Sequence, residues 1–130
     1  MHKYTFKNNE RLKSKKEIAL LFDKGKTFIS EPFKIIWNFS DIKNNYPAKI
    51  AISVPKRNYK KAVDRNFIKR QIREGYRKNK YILYRYLTQK NLKISLIIIF
   101  LNRNKYKTTD IEQSVIKLLN LIINKIEKQV

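Results

Sequence analysis

Residues 55–78 read Pro-Lys-Arg-Asn-Tyr-Lys-Lys-Ala-Val-Asp-Arg-Asn-Phe-Ile-Lys-Arg-Gln-Ile-Arg-Glu-Gly-Tyr-Arg-Lys. Lys56, Arg57, Lys60, Lys61, Arg65, Lys69, Arg70, Arg73, Arg77 and Lys78 stand here against only Asp64 and Glu74. At about 100° per residue, Asn66, Arg70, Arg73 and Arg77 fall on one helical stripe, with Ala62 beside them. Ile68, Ile72 and Tyr76 form a second stripe, flanked by Arg65 and Lys69. Val63 and Phe67 add a third apolar edge. The spacing predicts a helix that buries Ile68, Ile72 and Tyr76 and turns a ladder of guanidinium groups and one amide outward. Guanidinium is planar, permanently charged and donates paired hydrogen bonds to phosphate oxygens. A merely solvated basic face is the plain alternative. The density and one-sidedness of the cluster favour a polyanionic partner.

Working outward, the stretch before this helix reads as strands. Thr27–Ser30 is a short strand broken by Glu31-Pro32. Phe33, Ile35, Trp37 and Phe39 alternate with Lys34, Ile36 and Asn38, and Ile50, Ile52 and Val54 alternate again over Lys49–Val54. The Asn- and Asp-rich 41–47 turn between the two longer strands predicts that they pair antiparallel. Trp37 on this pattern is either a core residue or a base-stacking platform. Further upstream, Ser14-Lys15-Lys16-Glu17 reads as a capping box opening a helix with Ile18, Leu21 and Phe22 on one stripe. Gly25 is expected to stop that helix in the left-handed conformation. Residues 1–13 read as a flexible basic arm.

Downstream, Asn58 is a candidate cap for the basic helix, which is expected to bend at Gly75 or end near Asn79. Tyr81, Tyr84 and Tyr86 with Leu83 and Leu87 predict a further short helical segment. Base stacking by these tyrosines is one reading, and packing with hydroxyls at the rim is the more ordinary one. Leu92–Leu101 is nearly continuous apolar sequence and reads as a strand covered on both faces. After a basic 102–107 loop, Thr109-Asp110-Ile111-Glu112 is a second capping box. Ile111, Val115, Leu118, Leu119, Ile122 and Ile126 then mark an amphipathic terminal helix. The expected fold is a single α+β domain over 1–130: a small, mostly antiparallel sheet of about four strands with three helices, in the order α-β-β-β-α-β-α.

Composition narrows the function. The net charge is +21, with 31 Lys and Arg against 10 Asp and Glu. That excess favours a polyanion as partner. Long apolar runs and 12% aromatic residues oppose disorder. There is no cysteine, the single histidine is His2, and Gly25 and Gly75 are the only glycines. A thiol mechanism, a histidine-pair ribonuclease and a glycine-rich phosphate loop are therefore excluded. The carboxylates form no spaced cluster that reads as a metal site. With neither a signal sequence nor a membrane-length apolar run, the cytoplasm is the expected location. Any RNA cleavage in which this chain takes part must draw its reactive groups from a partner.

The run Ala62-Val63-Asp64-Arg65-Asn66-Phe67-Ile68-Lys69-Arg70-Gln71-Ile72-Arg73-Glu74 resembles the Arg-Asn-Arg signature of the bacterial ribonuclease P protein subunit. It follows a strand-like Ile52-Ser53-Val54-Pro55-Lys56-Arg57, as in that family. Arg11-Leu12-Lys13, the helix with Phe22, and Gly25 also look like the family, so the resemblance spans roughly residues 8–125. Arg65, Asn66, Lys69, Arg70 and Arg73 match signature positions. The third position departs from it, with Phe67 in place of Arg.

The resemblance implies the fold of the second domain of a ribosomal small-subunit protein, with a left-handed βαβ crossover. It implies a protein that binds a catalytic RNA and the 5′ leader of precursor tRNA and promotes hydrolytic removal of that leader. The RNA is then the catalyst, an endoribonuclease whose Mg²⁺ is held by the RNA and substrate and not by a protein site. Neither a protein partner nor a membrane is required. Lys56, Arg57, Lys61, Arg65, Asn66, Lys69, Arg70, Arg73 and Arg77 are the expected RNA-binding residues, extended by Lys78. Ile18, Phe22 and Trp37 are the expected lining of a leader cleft. Charge and size alone are equally compatible with a general RNA-binding or ribosomal protein, or with a basic helix entering a DNA major groove.

Overall fold

The computed structural model describes residues 10–40, 46–57, 59–101 and 108–130. The Asn58 cap, most of the 41–47 turn, the 102–107 loop, the Thr109 side chain and residues 1–9 of the expected arm lie outside them. The elements are α1 (Lys15–Lys24), β1 (Lys26–Ser30), β2 (Phe33–Phe39), β3 (Ala48–Ser53), α2 (Ala62–Asn79), α3 (Tyr81–Lys90), β4 (Ile94–Phe100) and α4 (Thr108–Glu127). The α+β class holds, with four helices where three were expected. The additional one is the Tyr-rich segment, a helix in its own right whose Leu83 and Leu87, one turn apart, are both fully buried. Only Lys80 separates it from α2. It ends at Asn91 in the left-handed conformation (φ 56°), where Asn is one of the few side chains that sit readily.

The sheet order is β1-β2-β4-β3. The expected antiparallel pairing of β2 with β3 does not occur, because β4 lies between them. β2 pairs antiparallel with β1 and β4, in register Trp37 with Lys26 and with Leu96. β3 pairs parallel with β4, Ile50 opposite Leu96. The physical reason is the composition of β4, Ile-Ser-Leu-Ile-Ile-Ile-Phe, which is apolar on both faces and belongs at the centre. A parallel β3–β4 pair requires a long crossover, which α2 and α3 supply.

Three layers result. Phe33, Ile35, Trp37, Ile50, Ile94, Leu96, Ile98 and Phe100 face α2, α3 and α4 in the main core. Ile36 and Ile97 face the other way, against Leu12 and Leu21, with Ile18, Ala51 and Ile99 around them. In the main layer α2 packs on β3, α4 packs on β1, and the two helices pack on each other. Gly75 does not stop α2, which ends at Asn79 as the second of the two expectations has it. It lies buried where a Cβ would come within 3.3 Å of Val115 Cγ2 and 3.4 Å of the Glu112 Cα, so its missing side chain lets the helices approach closely.

Gly25 is also explained by space. Its φ of −70° and ψ of 156° are extended, not left-handed. A Cβ there would lie 2.5 Å from the Leu21 carbonyl oxygen and 2.6 Å from Ile36 Cγ2. At the start of α1 the Glu17 amide donates to Ser14 Oγ at 3.3 Å, the first half of the expected capping box, while the Glu17 carboxylate does not reach back. The Glu17 carboxylate lies 3.8 Å from Lys49 Nζ, tying α1 to β3.

The flexible arm expected over 1–13 does not extend over residues 10–13. The Leu12 amide donates to the Ile50 carbonyl, and Arg11 bridges the free edge of β3. Glu10 is completely buried and accepts from Lys80 Nζ and the Tyr84 hydroxyl on the same carboxylate oxygen. Tyr76 OH reaches Tyr84 OH at 3.5 Å. Burial, more than any neighbouring charge, pushes both phenols well above the ordinary tyrosine range. Tyr84 therefore packs, as the ordinary reading of the Tyr-rich stretch expects, but its hydroxyl bonds inward to Glu10 and not at the rim, and Tyr81 is 47% exposed.

Two stability measurements check these contacts. Replacing Gly25 with Ala is expected to lower the unfolding free energy by about 1–3 kcal/mol, through overpacking at allowed dihedrals, read as a shifted urea midpoint. Glu10→Ala is expected to cost about 3–5 kcal/mol, because it removes the carboxylate paired with a buried ammonium. E10A combined with K80M should recover part of that loss. Additive losses would show that the two groups do not act as a pair.

Candidate nucleic-acid interface

The basic helix is held by the side it hides. Ile68, Ile72 and Tyr76 are buried as the sequence pattern requires, so the opposite side of α2 is turned to solvent. Asn66, Arg70, Lys61 and Lys78 are exposed, and Lys69, Arg73, Arg65 and Arg77 are half-buried. Lys56 and Arg57 are exposed on the segment between β3 and α2, so they continue the cationic surface from the helix toward the sheet.

Two members of the ladder are engaged within the protein. Arg65 Nη1 donates to the Tyr59 carbonyl at 2.8 Å and to the Lys60 carbonyl at 2.9 Å. It fixes the approach to α2, which has no side-chain cap at Lys61. Arg77 donates through Nε at 3.1 Å and Nη2 at 2.7 Å to Glu74 Oε2. That hydrogen bond, first among the causes, holds the Glu74 carboxyl below the usual carboxylate range. Arg70 and Arg73, with Asn66 between them and the helix start, present the outward guanidinium pair. Phe67 is 47% exposed and Val63 78%, one turn apart, so the third signature position is an apolar spot beside the cations and not a packed residue.

The expected cleft lining divides. Ile18 packs at the edge of the smaller core and Phe22 is 60% exposed on the same helix. Trp37 does not join them. It is 1% exposed and faces the main core on the opposite side of the sheet from α1. Alternation along β2 places Ile36 toward α1 and therefore Trp37 away from it. The sequence pattern separates these two sets but does not say which side α1 covers.

On the α1 side, register aligns Ile29, Lys34, Ile99 and Ser53 in one row across all four strands. Ile29 is exposed and the other three are half-buried, whereas Ile36 and Ile97 in the next inward-facing row are covered. This row is an open apolar shelf with one lysine, and β3 runs from it through Pro55 to Lys56 and Arg57. Ile29, Lys34 and Ile99 are residues that sequence reasoning missed; only the cross-strand register brings them together. Among the described residues, no group of three or more His, Asp or Glu is placed to hold a metal ion. No described helix is long and apolar enough to cross a membrane.

The Ribonuclease P family model matches residues 6–123. The ribonuclease P protein component of Porphyromonas gingivalis is 32% identical over 84 residues, 65% of this chain and 61% of that protein. The corresponding component of Petrotoga mobilis is 42% identical over 80 residues, 62% of this chain and 64% of its own length. The matched stretch thus spans less than two thirds of these relatives. Among solved structures, the RNase P protein of Staphylococcus aureus superposes with a TM-score of 0.69 at 24% identity, over 87% of this chain and 94% of that one. The RNase P protein of Thermotoga maritima gives 0.67 at 22% identity, over 85% and 94%. At these identities the structures establish a shared fold.

The different engagement of the arginines is measurable. Arg65→Ala is expected to lower stability by about 1–2 kcal/mol through its two lost backbone bonds. Arg70→Ala and Arg73→Ala should stay within about 0.5 kcal/mol of the parent. Equal thermal shifts for all three would remove the anchoring role of Arg65.

Proposed function

Because the chain belongs to the ribonuclease P protein family, we propose that it is the protein subunit of a ribonuclease P whose catalyst is its RNA. The observation that carries this reading is α2. It is a helix fixed by Ile68, Ile72 and Tyr76 whose outward face offers Asn66, Lys69, Arg70 and Arg73 together. These four contact the catalytic RNA in the proposed complex, and Lys56, Arg57, Lys61, Arg77 and Lys78 widen the contact. Arg65 shapes the surface by holding the segment before the helix. The unpaired 5′ leader of precursor tRNA lies along the shelf beside α1, with Phe22 and Ile18 as the wall and Ile29, Lys34 and Ile99 as the floor. Leader recognition is then mainly charge and stacking, and tolerant of sequence.

Catalytic RNA and precursor tRNA are both polyanions and repel each other. A chain with a net charge of +21 placed between them lowers that repulsion and the Mg²⁺ concentration needed. Each phosphate neutralised adds roughly 0.7–0.9 to the log–log salt slope of binding. In this proposal Mg²⁺ is held by the RNA and substrate, whose phosphate oxygens are the hard ligands it prefers.

The test is cleavage of a 5′-extended precursor tRNA at low Mg²⁺ by the organism's own catalytic RNA, with and without the protein. Strong stimulation with correct mature 5′ ends, and no cleavage by protein alone, is the expected result. R70A/R73A should lose most of the stimulation. Absence of stimulation by the parent protein, with the RNA competent at high Mg²⁺, would identify a general RNA-binding protein instead.

A further inference from the structure

The last turns of α4 and the start of β1 enclose a recess of about 260 Å³, at the far side of the main helical layer from α2. Lys26, Lys125 and Lys128 line it with Thr27, Phe28, Trp37 and Gln129, and among the described residues no Asp or Glu does. Two of its three lysines are held by neighbouring side chains. Lys26 Nζ donates to Asn38 Oδ1 at 3.1 Å and stands 5.1 Å from the Trp37 ring centroid and 5.4 Å from that of Phe39. Lys125 Nζ lies 5.5 Å from the Phe28 ring centroid. The rings of Trp37, Phe39 and Phe28 thus attract the two ammonium groups through cation–π contacts.

We propose that this recess is a second anion site, separate from the α2 face, and that it takes a phosphate group. Three lysines lining one recess suit a multiply charged oxyanion better than a single carboxylate, and ammonium binds phosphate as a point charge without needing a fork geometry. The recess is smaller than the roughly 300–1,000 Å³ of sites for drug-sized ligands, so a phosphate with at most one attached nucleoside is the fitting size. Phe28 supplies an apolar wall for a sugar or base, and Trp37 contributes only an edge, since it is almost fully buried. A phosphate on a nucleic-acid strand and a free phosphate share this chemistry. The strand case rests on the nucleic-acid reading above, and the free-anion case does not.

Trp37 is the only tryptophan in the chain, so its indole N–H gives a single resonance beside this recess. The full chain is titrated at constant ionic strength with inorganic phosphate and, separately, with a short single-stranded oligoadenylate lacking terminal phosphates. Sodium chloride serves as the control. The expected result is a saturable indole shift with at least one probe, weakened about tenfold or more in K125Q/K128Q. A shift with oligoadenylate alone assigns the site to strand phosphodiesters. A shift with inorganic phosphate alone assigns it to a free anion. Lys128 is exposed near the end of the chain, so K128Q by itself serves where the double variant does not fold. R70A/R73A should retain the indole response even where it loses partner-RNA binding, which separates failure of this site from failure of the functional reading. No saturable shift with either probe, a shift matched by chloride, or one unchanged in the lysine variants overturns the proposal.

Discussion

The position of β4 at the centre of the sheet is the constraint from which the other features follow. Its side chains from Ile94 to Phe100 are apolar on both faces, and only interior placement removes both faces from water. Once β4 is inserted between β2 and β3, β3 runs parallel to it, and the connection between them must cross one face of the sheet. That crossover is α2 and α3. The strand with the fewest charges thereby dictates where the helix with the most charges lies.

The charged helix is stable there because its cations do not have to be buried with its apolar stripe. Gly75 brings α2 against α4, Tyr76 joins the buried phenol pair, and Lys80, immediately after the helix, is clamped by Glu10. This clamp joins positions 70 residues apart and draws the beginning of the described chain onto the α2–α3 junction. Arg65 closes the other end of α2 through the Tyr59 and Lys60 carbonyls. A chain with this much like charge repels itself. Among the described residues, two of the ion pairs, Glu17–Lys49 and Glu10–Lys80, sit at joints between elements, and the third, Glu74–Arg77, lies along α2.

Those surfaces lie on different sides of the molecule. The α2 ladder belongs to the main helical layer. The shelf of Ile29, Lys34 and Ile99 belongs to the opposite side of the sheet, beside α1. The lysine recess belongs to the end where α4 meets β1. Phe67 shows how local the chemistry is: its exposed ring replaces a cation of the family signature without disturbing the buried stripe one residue away.

The basic ladder, the buried stripe of Ile68, Ile72 and Tyr76, the apolar terminal helix and the absence of thiol chemistry were all determined by the sequence. Each depends only on residue type and on local period, 3.6 for helices and 2 for strands. The partners of the strands and the side of the sheet that α1 covers were decided by tertiary structure. Alternation in β2 sorts Ile36 from Trp37 correctly, yet it is blind to which set meets α1, because both rows are apolar and the pattern is symmetric under exchange of faces. The burial of Glu10 was equally invisible, since a carboxylate among basic residues looks solvated until Lys80 and Tyr84 close around it. Gly25 and Gly75 are the same kind of case. A sequence shows that a side chain is missing, and only the packed neighbours, Ile36 in one case and Val115 in the other, show what occupies its place.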